Sequence, residues 1–177
     1  MTRRIIALAV FILLPLSNAL AAPETSCTAL IGNCDYYLCE ESNAHCGDSG
    51  YFLNFGYPFC TRFVKELEPV VEPPQQAWLK RVAACLQEKV DFFPKSLSCG
   101  QIEDDAVASH YECYISTGFC ETPLGFKLKL FRMIYQTMTN EKMLDTAFRI
   151  LEHCGEDPLE FERAYSSASD NARQNAQ

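Results

Sequence analysis

Residues 27–60 read CTALIGNCDYYLCEESNAHCGDSGYFLNFGYPFC. Five of the chain's ten cysteines fall here, Cys27, Cys34, Cys39, Cys46 and Cys60, spaced C-x6-C-x4-C-x6-C-x13-C. A disulfide needs Cα atoms about 5.5–6 Å apart with converging Cβ vectors, so sulfurs this dense cannot all pair with near neighbours. Five is odd, and at least one of them must bond to a cysteine further along. The stretch is therefore a hub to which the rest of the chain is tied, provided the thiols are oxidised.

The N-terminus speaks to that condition. Arg3 and Arg4 precede an apolar run, Ile5 to Leu16, and the small-residue site Ala19-Leu20-Ala21 follows, the pattern of a cleavable secretory signal at 1–21. Pro15 interrupts the run, which is too short to anchor the chain in a bilayer. Removing 21 of 177 residues leaves 156, enough for one domain with a substantial core. Export, to the extracellular space or to a periplasm if the source is bacterial, makes ten cysteines read as five disulfides. Loss of Arg3 and Arg4 from the 15 Lys and Arg leaves 13 against 23 Asp and Glu, a net charge of −10. Such a surface disfavours nucleic acid and anionic membranes as partners and suits a protein partner with a basic face.

The pattern outside the cysteines is helical. Cys27, Leu30, Ile31, Cys34 and Leu38 step by three and four, with an interruption at Gly32-Asn33, and Glu40 to Asn43 reads as a polar turn. The Gly-rich loop Gly47 to Gly50 leads to an aromatic cluster, Tyr51, Phe52, Phe55, Tyr57 and Phe59, broken by Gly56 and Pro58. That cluster is either core cover, the favoured reading, or a contact surface. A short helix through Phe63 and Leu67 ends before Pro69, and Glu68 to Pro74 reads as a linker. Trp78, Val82, Leu86 and Val90, flanked by Leu79 and Cys85, define the clearest helix, with Pro73-Pro74 at its start and its end before Pro94. A second starts near Ile102, its acids Glu103, Asp104 and Asp105 suiting a helix N-terminus, and Gly118 closes it. Phe126 to Tyr135 fits a helix better than a strand, there being no partner strand. Thr139 or Asn140 caps a last long helix with Met143, Leu144, Ala147, Phe148 and Leu151 inward, stopped by Gly155. Asp157-Pro158-Leu159-Glu160 opens a short terminal helix, and 165–177 has the composition of a disordered tail. The expected fold is all-α, a disulfide-rich single domain of about five helices spanning 22–164.

The cysteine order Cys27, Cys34, Cys39, Cys46, Cys60, Cys85, Cys99, Cys113, Cys120, Cys154 resembles the stanniocalcin family of secreted, hormone-like proteins. The local words Cys34-x4-Cys39-Glu40, Asp48-x-Gly50-Tyr51, Cys60-x2-Phe63 and Glu112-Cys113-Tyr114 carry the same resemblance. Spacing alone leaves hundreds of pairings open. The resemblance implies Cys27–Cys39, Cys34–Cys60, Cys46–Cys99, Cys85–Cys113 and Cys120–Cys154. It also implies a non-enzymatic role in calcium and phosphate balance, or inhibition of a secreted metalloproteinase by binding, through a receptor or a secreted protease as partner. Two departures stand out. No cysteine follows Cys154, so a disulfide-linked dimer is not expected and only a non-covalent one is open. No Asn-x-Ser/Thr occurs in the chain, whereas the family often carries one between its third and fourth cysteines. The alternative function is a secreted binding module or protease inhibitor without hormone activity.

Catalysis has one sequence cue. Gly47-Asp48-Ser49-Gly50 is the word around the nucleophile of trypsin-like proteases, but that chemistry needs a histidine base, a buried aspartate and an oxyanion hole on a two-barrel frame. A turn is the expected reading, and no catalytic residue is assigned. His45-Cys46 and His153-Cys154 lack zinc-site spacing, and oxidised sulfurs cannot ligate. No metal or other cofactor is expected. Glu103 to Asp105 lack the spaced loop of a calcium site. His110, on the stripe of Cys113, reads as a core histidine. Lys127, Lys129 and Arg132 form the one basic cluster, read as a helix face with snorkelling stems rather than a contact site.

Overall fold

The computed structural model describes residues 25–135, 141–161 and 163. Among them there are helices and turns but no strand. A 3₁₀ turn, Thr28–Leu30, leads through Gly32, at φ 93°, into α1, Asp35–Ala44. The polar stretch Glu40 to Asn43 belongs to this helix rather than to a turn. Its polar groups have helix-compatible partners: Ser42 Oγ donates to the Cys39 carbonyl at 2.6 Å, and the Asn43 amide exchanges hydrogen bonds with the Thr25 backbone. The helix ends at His45, which takes the left-handed conformation and donates its N–H to the Glu41 carbonyl.

From Tyr51 to Val70 the chain forms one rod of changing winding. A π turn, Phe52–Gly56, passes into α2, Tyr57–Arg62, then a second π turn, Phe63–Leu67, and a 3₁₀ turn, Glu68–Val70. Gly56, Pro58 and Pro69 thus lie inside helical structure, where breaks were expected. The first π turn shifts the carbonyl register just before Pro58, which has no N–H to donate and needs room for its ring. Gly56 is required by its neighbour: a Cβ there would stand 2.5 Å from Cδ1 of Tyr37. Tyr37 is buried, with the rings of Tyr36 and Tyr51 edge-on to it, so it cannot swing away. Gly→Ala in a helix ordinarily stabilises by about 1 kcal/mol. Gly56→Ala is instead expected to destabilise by about 2 kcal/mol through overpacking, and a urea midpoint above that of the wild type would refute the close approach.

Three further helices carry most of the body: α3, Pro73–Asp91; α4, Cys99–Ser116; and α5, Leu124–Tyr135. The stripe Trp78, Val82, Leu86 and Val90 is buried along α3 as its period requires. α4 starts before Ile102, at a capping box: Ser98 Oγ accepts from the Gln101 N–H, and the Gln101 side chain accepts from the Ser98 N–H. Glu103, Asp104 and Asp105 are consequently a turn inside the helix, and Asp104 pairs with Lys142. α6, Glu141–His153, buries Met143, Thr146, Ile150 and Leu151, while Leu144, Ala147 and Phe148 are half-buried. Gly155, at φ 76°, stops it, and Asp157 Oδ1 accepts from the Leu159 N–H at the start of the expected short terminal helix, helical over 158–161. The expected signal, the Thr139 or Asn140 cap and the tail lie outside the described residues.

Five disulfides close the frame: Cys27–Cys39, Cys34–Cys60, Cys46–Cys99, Cys85–Cys113 and Cys120–Cys154, with Cα separations of 4.9–5.8 Å. This is the pairing implied by the resemblance, and Cys46 is the hub member that reaches downstream. Among the described residues every cysteine is bridged.

The core falls into two clusters. One gathers Cys27, Tyr36, Tyr37, Tyr51 and Phe52 of the hub onto Val90, Ile102 and Ala106. The other surrounds Trp78, whose ring meets Tyr114, Phe119 and Phe126 at centroid distances of 5.3–5.4 Å, and extends to α5 and α6. α3 and α4 run through both clusters and join them.

Candidate functional site

The aromatic stretch Tyr51 to Phe59 faces the junction between these clusters. Tyr51, Phe52 and Phe59 are buried, which restricts a contact surface on this stretch to the half-buried Phe55 and Tyr57. Phe55 stacks on Phe59 at 4.2 Å and on Tyr51 at 5.8 Å, an aromatic column along one face of the rod. Tyr51, Phe55 and Phe59 step by four, so unbroken helical winding past Gly56 and Pro58 places them on that face.

The column forms one wall of a cavity of about 70 Å³, with about 830 Å³ of atom-free space counted out to bulk solvent. Leu86 of α3 and Leu130 and Phe131 of α5 add aliphatic and aromatic surface; Met143, Thr146 and Ile150 of α6 close another side. One buried water needs about 10–15 Å³ of such room and two to four polar partners. The cavity exceeds the first requirement several-fold, while its lining is mainly apolar.

With Tyr37, Tyr51, Tyr114, Lys127 and Thr146, His110 is one of its polar features. The ring sits on α4 between Ala106 of the hub cluster and Cys113 of the Trp78 cluster, edge-on to Phe55 at 5.9 Å and tilted against Tyr114 at 6.1 Å. It is a hydrogen-bonded core histidine, as read from the sequence: Nδ1 lies 2.8 Å from the Ala106 carbonyl. A carbonyl only accepts, so Nδ1 carries the proton, and in the neutral ring Nε2 is left as an acceptor. Burial lowers the pKa to about 4, against the opposing effect of the Ala106 and Val107 carbonyls. Burial also raises Tyr37, Tyr51 and Tyr114 far above the usual phenol value, keeping these hydroxyls protonated.

The neutral histidine makes stability depend on pH. The unfolded chain takes up a proton near pH 6.5 and the folded chain only near 4, so stability falls as pH drops through that window. Between pH 7.5 and pH 5 the loss is about 2 kcal/mol. Urea denaturation of His110→Phe at the two pH values is expected to lack this increment; an unchanged pH slope would count against it.

Lys127 also borders the cavity, yet it is not the solvent-reaching side chain expected from the basic cluster. It is buried, and Nζ donates to Glu156 Oε1 at 2.7 Å and to the Cys120 carbonyl at 2.9 Å, beside the Cys120–Cys154 bridge. A buried ammonium needs such partners. Lys129 and Arg132 are exposed, and Lys129 Nζ donates to the Val70 carbonyl.

The Gly-Asp-Ser-Gly loop is a turn closed by the Gly50 N–H on the Gly47 carbonyl at 2.9 Å, with Ser49 exposed. A Cβ on Gly50 would lie 2.4 Å from that of Cys46, so this glycine serves the close packing of the tether. Cys46 and Cys154 are in bridges and cannot ligate metal, and His153 Nδ1 is 3.0 Å from the Tyr111 hydroxyl. Among the described residues no helix is long and apolar enough to cross a membrane. The chain was compared with protein-family models, characterised proteins and solved structures, and none matches.

Proposed function

We propose that this chain is an exported, non-enzymatic protein that acts by contact with another protein, in the hormone-like manner that its likeness to stanniocalcins implies. The observation that carries this reading is the set of five bridges, whose pairing coincides with the one the resemblance implies. Bridges joining sequence positions 12 to 53 residues apart limit the conformations of the unfolded chain and suit a surface that must persist outside the cell. The acidic balance favours a partner with a basic face. Calcium and phosphate balance, or inhibition of a secreted metalloproteinase, are the two outcomes the resemblance supplies.

Saturable binding of the labelled, oxidised protein to cells and to secretome fractions tests this. A cell-surface partner supports signalling and a soluble protease supports inhibition; reduced and alkylated protein is expected to bind neither. Hydrolysis of peptide or ester substrates that disappears in Ser49→Ala, without saturable partner binding, would refute the proposal.

A further inference from the structure

We infer that the cavity between the rod, α4, α5 and α6 is a binding site for a small apolar molecule, about one aromatic ring in size, carrying a single hydroxyl or similar hydrogen-bond donor. Three independent features meet there. The first is the space itself, about 70 Å³ of cavity, roughly half the volume of one that encloses benzene, so that a single ring fills it with part of its edge in the open mouth; it lies between helices, where ligand pockets of helical proteins form. A cavity larger than a water site but walled mainly by apolar side chains offers water too few partners. It offers an apolar solute Phe55 and Phe59 on one side and Leu130 and Ile150 on the other.

The second feature is the wall. The rod departs from α-helical winding in two π turns, Phe52–Gly56 and Phe63–Leu67, and residues of both, Phe55, Gly56 and Phe63, line the cavity. π turns cost regular hydrogen-bond geometry and recur at functional sites. Here they carry the helical rod past Gly56 and Pro58, and the four-residue steps of Tyr51, Phe55 and Phe59 set the aromatic column along the opening.

The third feature selects the ligand's polar group. His110 donates through Nδ1 to its own helix, so its other ring nitrogen can only accept. A ligand hydroxyl reaching that nitrogen would donate to it, whereas a carboxylate or phosphate placed there would set an acceptor against an acceptor and lose its hydration in a mainly apolar lining. Lys127, which lines the cavity, is committed to Glu156 and the Cys120 carbonyl, so it is not free to pair with an anionic head. Thr146, buried on the α6 side, adds one more hydroxyl. This inference is independent of the protein-contact reading and would survive its failure.

Toluene and p-cresol are the test pair, differing by one hydroxyl. Trp78, the chain's single tryptophan, reports on binding, because its ring touches Tyr114 and Phe119 of the cavity wall. Both compounds are expected to change its fluorescence saturably at pH 7.5, with p-cresol about five- to ten-fold tighter, the value of one net hydrogen bond. In His110→Phe that preference should vanish while toluene still binds. In Ala147→Phe, which fills the cavity, neither should bind; Ala83→Leu serves the same purpose if the first variant does not fold. No saturable change with either compound overturns the site. Binding that persists in a folded, filled variant overturns its location, and equal affinities for the two compounds in the wild type overturn the ligand class.

Discussion

Replacing Gln87 by leucine is expected to destabilise the protein by about 2–3 kcal/mol, although the change turns a polar residue apolar in a buried place. Gln87 lies on α3 with none of its surface exposed. Its Oε1 accepts from the Gly32 N–H at 2.6 Å and its Nε2 donates to the Asn33 carbonyl at 3.0 Å. The side-chain amide thus completes the backbone hydrogen bonding of the bend between the Thr28–Leu30 turn and α1. Leucine fills a similar volume but takes the partner from one donor and one acceptor; Gly32 and Asn33 are themselves exposed, so each loss falls toward the low end of the about 1–3 kcal/mol that a buried group costs. Urea denaturation measures the loss. Amide exchange at Gly32 is expected to accelerate more than exchange in α5, because the damage is local to the hub. A variant within about 1 kcal/mol of the wild type, or one with Gly32 exchange unchanged, would show that solvent reaches the bend and that Gln87 is dispensable.

Gln87 also marks where reading the sequence stops. The stripe of α3 is legible because burial follows the helical period, and Trp78, Val82, Leu86 and Val90 all face the core. Gln87 adjoins that stripe, but residue type argues for exposure, and only the distant Gly32-Asn33 bend explains its burial. Lys127 went unread for the same reason: its partner Glu156 is 29 residues away and appears only once the Cys120–Cys154 bridge brings α6's end to α5. Gly56 and Pro58 are breakers by local propensity, yet tertiary packing against Tyr37 and a π turn keep the rod helical. The α4 start was readable in principle, since Ser98-x-x-Gln101 is a capping box. For the candidate site, the sequence marked the aromatic stretch and His110 as separate features. Tyr51, Phe55 and Phe59 step by four, a helical signal that Gly56 and Pro58 obscure, and the contact of Phe55 with His110 depends on how the rod packs on α4, which no periodicity announces.

The second large effect follows from the tether. Simultaneous replacement of Cys46 and Cys99 by alanine is expected to cost about 4 kcal/mol, whereas the same change at Cys27 and Cys39 costs about 3. The difference arises from the closed loops, 53 against 12 residues of separation, because a longer loop restricts the unfolded chain more. Position adds to length in this case. Cys99 is the first residue of α4, directly after the Ser98 cap, and Cys46 leads through the Gly47–Gly50 turn into the aromatic column. The bridge therefore fixes the start of the helix bearing His110 relative to the start of the rod bearing Phe55, two rings in edge-on contact in the lining of one cavity. Guanidinium denaturation of the two double variants is expected to rank them in that order. The Cys46/Cys99 variant should also lose p-cresol affinity, while the Cys27/Cys39 variant, whose bridge joins two parts of the hub alone, should retain it. Equal destabilisation with unchanged ligand affinity in both would mean that the hub holds its place on the body through the Tyr37, Tyr51 and Phe52 cluster without the tether.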